Sequence, residues 1–328
     1  MTASQQRWAY VRRRLLQGVL TVFLIVTANF FLLHLAPGDP ASVLAGEAGA
    51  SNPEYIAQLR AQFGLDQPLY VQYFKYVWET ATFDLGYSAR YGESNLKLIM
   101  GRMPATLLLM ASSVLLSIFV GSTLGLVAAV KRNTYVEVTI LLVAVLAYAA
   151  PVFWLGLMFI VLFAITLQWL PTSGMATVGA GLTGIRYALD VAHHLVMPAI
   201  TLSLFYVALY ARLMRTSVLE NLGLNYVVTA RSKGLPARRI ILRHVLRNAV
   251  LPVLTMAGVQ IGGMLGGSVV VESVFGWPGL GLLAYESLFA RDLNLLLGIL
   301  FFGAILVALA NLCVDIAYSI IDPRVSLN

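Results

Sequence analysis

Few side chains in this sequence could do covalent chemistry, and those few are scattered. His193 and His194 are adjacent, but a metal site needs further ligands and groups that orient them. A histidine pair resting at the outer edge of an apolar run is the competing account. Asp315 falls inside another apolar run, where an ionisable side chain marks function by default. It is only about two helical turns from the inner end, so pairing with a basic residue there competes. Glu272 ends a third run, just before Phe275-Gly-Trp277-Pro-Gly279. A carboxylate at an aqueous mouth is often merely solvated. Asn29, Ser113, Ser117, Tyr148, Gln260 and Asn311 lie within apolar runs and either line a route for a solute or bond a neighbouring helix. There is no Gly-rich loop ending in Lys-Ser/Thr, no zinc-binding helix and no nucleophile elbow. The chain is therefore not expected to hydrolyse ATP or to be an enzyme, and no metal is expected. Its single Cys313 has no intrachain partner for a disulfide.

The surroundings of these residues are far more informative. Hydrophobic residues make up 59% of the chain and charged ones 11%, against about a quarter charged in soluble domains. Apolar runs long enough to cross about 30 Å of hydrocarbon recur: 15–35, 104–130, 138–167, 195–214, 250–274 and 293–321. The expected fold is an all-α integral membrane protein of six transmembrane helices. Lys and Arg near span ends stay on the cytoplasmic side. Placing both termini there gathers Arg12, Arg13, Arg14, Lys131, Arg132, Arg212, Arg215 and the basic residues of 231–247 inside. The net charge of +7 thus reflects topology, with acidic lipid headgroups as neighbours and no nucleic-acid partner. The first run resembles a signal peptide, but it is too long and lacks a small-residue cleavage site, so it is expected to stay attached.

Between the first two runs, residues 37–103 form a polar external cap, with turn signals at Pro37-Gly-Asp-Pro40 and a short helical pattern from Tyr55 to Phe63. The segments 168–194 and 276–292 are also external. No internal repeat is visible, so an inverted-repeat, ion-coupled transporter lacks support. It would also need deep carboxylates and broken helices, and neither is evident.

One internal loop is substantial, 216–248. It reads as two short helices broken at Gly234, which suits a left-handed helix end, with Pro236 in the first turn of the second. Arg239, Arg243 and Arg247 recur on one face, and Ile241, Leu242, Val245 and Leu246 supply apolar surface. Such a segment lies on headgroups or docks on a protein. In the fifth run Gly258, Gly262 and Gly266 recur every four residues, with Gly263 and Gly267 on an adjacent line. Small residues at this spacing let helices pack closely in lipid, and a lining for the solute path is the competing account.

Thr229-Ala230-Arg231-Ser232-Lys233-Gly234, followed by Arg243-His-Val-Leu-Arg-Asn248 and Pro252, resembles the "EAA" loop of binding-protein-dependent ABC permeases. The departure from Glu-Ala-Ala to Val228-Thr229-Ala230 is similar to the dipeptide, oligopeptide and nickel subfamily. Leu35-Ala-Pro-Gly-Asp-Pro40, Phe63-Gly-Leu-Asp-Gln-Pro-Leu-Tyr70, Pro151-Val-Phe-Trp-Leu-Gly156 and Phe275-Gly-Trp-Pro-Gly-Leu-Gly281 extend the resemblance to the B-type permease over essentially the whole chain.

The resemblance implies a type I ABC importer permease core, MetI-like, preceded by an N-terminal helix (1–36) and the external cap (37–103). The core is 104–322 and a tail 323–328 follows. The implied activity is import of di- or oligopeptides, or of glutathione, nickel chelates or oligosaccharides by the same machinery. The implied partners are a second homologous permease, two cytoplasmic ATPase subunits or domains and an extracytoplasmic solute-binding protein. ATP and Mg would reside on those partners, and the chain itself would be multi-pass in a prokaryotic inner membrane. Thr229, Ala230, Arg231, Ser232, Lys233, Gly234, Leu235, Pro236, Arg238 and Arg239 would form a coupling helix on the ATPase. Glu272, Phe275 and Trp277 would belong to an external loop reaching towards the pore or the binding protein.

Overall fold

In hydrocarbon every backbone N–H and C=O must be satisfied within its own segment, so apolar runs fold as helices. The computed structural model describes residues 3–35, 52–63, 66–88 and 90–321. The turn at Pro37-Gly-Asp-Pro40 and the tail 323–328 lie outside the described residues, as does the side chain of Asp315. The helices in order are α1 (Ala3–Leu35), α2 (Pro53–Phe63) and α3 (Leu69–Ala81), then a two-stranded antiparallel hairpin, β1 (Tyr87–Ser88) with β2 (Glu93–Ser94). There follow α4 (Asn95–Val130), α5 (Tyr135–Ala149), α6 (Val152–Phe159) continued by a π-helical turn over Ile160–Thr166, and α7 (Gly184–Leu222). Last come α8 (Asn225–Ser232), α9 (Ala237–Arg239) continued by a π-helical turn over Ile240–Val245, α10 (Leu246–Ala249), α11 (Leu251–Phe275), α12 (Leu280–Phe289) and α13 (Leu293–Ile321).

Among the described residues five helical segments are long and apolar enough to cross a membrane, or six if one bent pair counts as a span. That pair is α5 and the α6 segment, bent by 105°, and it corrects the single continuous span expected over 138–167. The cause is Pro151. Its ring removes a backbone donor and drives the preceding residue out of the helical region, and Ala150 takes φ −75° and ψ 136°. Two other prolines, Pro104 in α4 and Pro198 in α7, sit inside uninterrupted helices. Those two helices have 36 and 39 residues, about 54 and 58 Å at 1.5 Å per residue, so the apolar runs 104–130 and 195–214 cover only part of each. His193 and His194 therefore lie within α7 rather than in a loop before it, and the segment 276–292, expected to be a loop, contains α12.

The chain divides into two compact units, Met1–Met103 with Leu283–Leu309, and Pro104–Leu282 with Ala310–Asn328. Most of the last span thus groups with the N-terminal helix and cap rather than with the other core helices. In the first unit α1 packs on α3 through Phe30 and Tyr73, whose ring centroids are 5.3 Å apart, and the Thr27 and Tyr73 hydroxyls bond at 2.9 Å. The hairpin is tied to the α12–α13 turn: Ser88 Oγ donates to Asp292 at 2.5 Å and the Tyr91 hydroxyl to Glu286 at 2.9 Å. Asp292 also accepts the Leu295 N–H at 3.1 Å, capping α13. Burial, with Glu286 beside it, holds the Tyr91 hydroxyl above its ordinary pKa.

The second unit has two apolar clusters. One joins α4, α7, α8 and α11 through Met110, Tyr210, Met214, Val218, Val227, Val245, Val253 and Met264. The other joins α4, α6, α7 and α11 through Leu109, Leu202, Val271, Phe275 and Trp277. Where α4 meets α7, glycine lets the backbones touch. A methyl on Gly121 would lie 2.8 Å from Tyr210 Cβ and 2.9 Å from the Val207 carbonyl oxygen, and one on Gly125 would overlap the Ala211 carbonyl oxygen.

Candidate functional site

The expected break at Gly234 is a complete helix-ending motif. The Gly234 N–H donates to the Arg231 carbonyl at 2.9 Å, and the Leu235 N–H reaches back to the Ala230 carbonyl at 3.3 Å. This paired pattern requires a left-handed residue between, and Gly234 has φ +75°. A methyl there would meet nothing within 4 Å, so glycine serves the backbone conformation rather than a close contact. Pro236, with φ −65° and ψ 143°, is the residue just before α9 rather than in its first turn. The chain then runs through α9, the π-helical turn and α10 into α11.

This segment has an inner and an outer side. Val227, Ala230, Ile240 and Val245 are buried in the cluster that also holds Met214, Val218, Ala249 and Val253, and Leu235 packs against it half-buried. Fully burying a Val or Ile side chain stabilises by about 1.5–3 kcal/mol, so these residues fasten the segment to the ends of α7 and α11. Outside are Thr229, Arg231, Ser232, Lys233, Gly234, Pro236, Arg238 and Arg239, with Arg243 and Arg247 further along. Thr229 and Ser232 bond back to the carbonyls of Asn225 and Val228. None of these six basic side chains has an acidic partner among the described residues. The result is a cationic ledge on a buried apolar base.

A second feature, at the start of α5, carries no mark in the sequence. Glu137, in the first turn of α5, accepts from Arg215 Nε at 2.6 Å, pairs with another guanidinium nitrogen of the same residue, and accepts the Asn133 N–H at 2.6 Å through its other oxygen. Asn133 has φ +62°. One carboxylate thus fixes the α4–α5 turn and ties it to α7, two turns before that helix gives way to α8. Nothing local in the sequence signals a partner 78 positions away.

The residues expected in an external loop are placed otherwise. Glu272, Phe275 and Trp277 are 0%, 1% and 0% exposed, so their side chains do not project from an open loop. Glu272 accepts from the Thr106 hydroxyl at 2.8 Å and from the Leu282 N–H at 3.0 Å. The Thr106 oxygen in turn accepts the Leu280 N–H at 2.7 Å, and Trp277 Nε1 donates to the Ala105 carbonyl at 2.9 Å. The carboxylate is the hub of a folded turn against α4, built from the polar groups that burial obliges to pair. Gly279 and Gly281 leave it room, since a methyl on either would collide with the Glu272 carboxylate.

Of the glycines expected to pack a helix interface, Gly258 is buried, Gly262 half-buried and Gly266 exposed, with nothing within 4 Å of a methyl built on Gly266. His193 Nε2 is 3.0 Å from the Trp169 carbonyl and His194 Nδ1 is 2.9 Å from that of Asp190. Among the described residues no cluster of three or more His, Cys, Asp or Glu could hold a metal. Ser113 and Ser117 are buried and bond to carbonyls of their own helix, and Tyr148 stacks on Phe205 at 4.5 Å.

The chain is thus a set of long apolar helices, two of them joined by a packed hairpin with an exposed cationic side. Residues 121–327 match the model of the binding-protein-dependent transport system inner membrane component, and residues 8–110 that of the N-terminal part of such membrane components. The chain belongs to that family, the permease subunits of ABC importers. A protein of Brucella suis biovar 1 (strain 1330) is 37% identical over 319 residues, covering 97% of this chain and 99% of its own. The dipeptide transport system permease protein DppB of Escherichia coli (strain K12) is 36% identical over 333 residues, 96% of this chain and 98% of its own. The fold is similar to a chain of the inward-facing MetNI methionine ABC transporter, with TM-score 0.56, 17% identity, and coverage of 69% of this chain and 97% of that one. Family membership brings ATPase partners and a substrate-binding protein, and makes this a multi-pass membrane protein.

Proposed function

We propose that this chain is the peptide-importing permease of its assembly, pairing with a second, related permease to enclose the path. Both termini are cytoplasmic, and two ATPase subunits or domains carry the ATP and Mg. The 36% identity to a dipeptide permease along nearly the whole chain supports a peptide cargo. Residues Thr229 to Ile240 are the coupling segment. The observation that carries this reading is the division of that segment into a buried anchor, Val227, Ala230, Ile240 and Val245, and an exposed row of unpaired cations. A partner pushing on the row moves α7 and α11 with it, because the anchor shares their core.

The test is Gly234→Val. No side-chain clash opposes it, but a β-branched residue at φ +75° is strained by roughly 1–2 kcal/mol, so the helix end rearranges while the spans remain. The variant inserts and assembles yet loses peptide uptake per ATP hydrolysed, as measured in proteoliposomes holding the full complex. Gly234→Asn, which reaches the left-handed region more readily, keeps more coupling than Val. Full uptake by Gly234→Val refutes the assignment.

A further inference from the structure

The face of α11 that turns away from its own unit has an unusual surface for a helix in lipid. Its exposed line runs through Thr255, Val259, Gly263, Gly266 and Val270, and Val259 and Val270 are the only large apolar side chains that α11 leaves exposed. The neighbouring α5 and α6 instead expose Leu142, Val143, Leu146, Phe153, Trp154 and Leu157. At the centre of the glycine line are polar groups. A methyl built on Gly263 would lie 3.7 Å from the Tyr206 hydroxyl and 3.8 Å from Gln260 Oε1. Tyr206 is only 6% exposed, and Gln260 is half-buried. Neither the hydroxyl nor the amide has a hydrogen-bond partner among the described residues.

Gly263 is the central residue of Leu251–Phe275, so these unpaired groups lie near mid-membrane, where an unsatisfied polar group facing hydrocarbon is strongly disfavoured. We infer that the Gly263–Gly266 face, with the Tyr206 hydroxyl and the Gln260 amide, is a stretch of the solute path that holds the backbone amides of an extended peptide. A primary amide presents both donors and an acceptor and so complements a peptide bond in either direction, whatever the side chains. The absent glycine side chains leave the polar groups open to a passing main chain. A helix of the partner permease fits less well, because its backbone amides are already paired internally and would leave Gln260 and Tyr206 unsatisfied.

This site rests on the peptide-import reading, and its test separates the two. In the full complex with Cys313→Ser, a Gly266→Cys permease is treated with a charged, water-soluble thiol reagent. Labelling that blocks transport is expected, since the thiolate forms only where water reaches it. No labelling, which would place the face in lipid or a dry interface, overturns the site whatever the cargo. In parallel, Gln260→Leu assembles with the second permease and still supports ATP hydrolysis, but peptide uptake falls about fivefold, as expected for one lost hydrogen bond. Loss of the second permease on co-purification, or unchanged uptake, overturns the inference. If the unaltered complex takes up no peptide, the cargo reading fails, while the labelling result still decides whether the face is wet.

Discussion

Two pairs of glycines, four residues apart in α4 and three apart in α11, meet opposite surroundings. Gly121 and Gly125 in α4 are pressed against α7, where a methyl on either would meet backbone or Cβ atoms of Val207, Tyr210, Ala211 and Met214. Gly263 and Gly266 in α11 face outwards, and around Gly266 a methyl would find open space. Spacing alone states that a helix face is small. Only the neighbour across it decides whether the smallness closes a contact or leaves a channel. The closed line fixes the crossing of α4 and α7, and the open line is the face for which a solute path is proposed.

The sharpest way to break this contrast is to make the same substitution on both lines. Gly125→Ala should be the more damaging, because its methyl overlaps a backbone carbonyl and lies 2.7 Å from Met214 Cβ, and neither can swing aside as a flexible side chain would. Overpacking of this kind costs about 3 kcal/mol. The variant should show a lowered thermal midpoint in detergent and reduced yield of assembled complex. Wild-type stability would mean that α4 and α7 slide freely and that the closed line is not a fixed crossing.

A smaller effect is expected at the end of the same crossing marked by Arg215. Arg215 and the Asn133 N–H converge on Glu137, which must be an anion to face the guanidinium and accept the backbone N–H together. The pair is therefore better probed by charge than by pH. Glu137→Gln should loosen the tie between α5 and α7 and lower uptake per ATP without abolishing assembly. Exchanging the charges, Glu137→Arg with Arg215→Glu, should restore part of the loss but not all, since an arginine cannot accept the Asn133 N–H. Identical behaviour of the single and exchanged variants in proteoliposomes would show that the pair does not participate in coupling.

What the sequence disclosed follows from how local each cause is. Lipid imposes composition residue by residue, so the apolar runs stand out, and the left-handed requirement at Gly234 is settled by its own neighbours. Prolines are more ambiguous. Pro104 and Pro198 remain inside uninterrupted helices while Pro151 turns the chain by 105°, and the residue type alone does not separate the two outcomes. Glu272 and Trp277 look like solvent-facing loop residues beside Pro278 and Gly279, yet the partners that bury them, Ala105 and Thr106, lie on α4. The Glu137–Arg215 pair and the Gly121–Gly125 crossing are likewise contacts between distant segments, and their residue types carry no mark of it.

The smallest effect belongs to the open line. Gly266→Ala adds its methyl where nothing lies within 4 Å, and replacing glycine inside a helix by alanine gains roughly 0.5–1 kcal/mol of conformational entropy. The thermal midpoint of the complex should therefore hold or rise slightly, opposite in sign to Gly125→Ala, and the second permease should still co-purify. A stability loss comparable with that of Gly125→Ala would mean that another helix presses on this face in the assembly, making it a second closed crossing. The two lines would then be alike, and the path would have to run elsewhere.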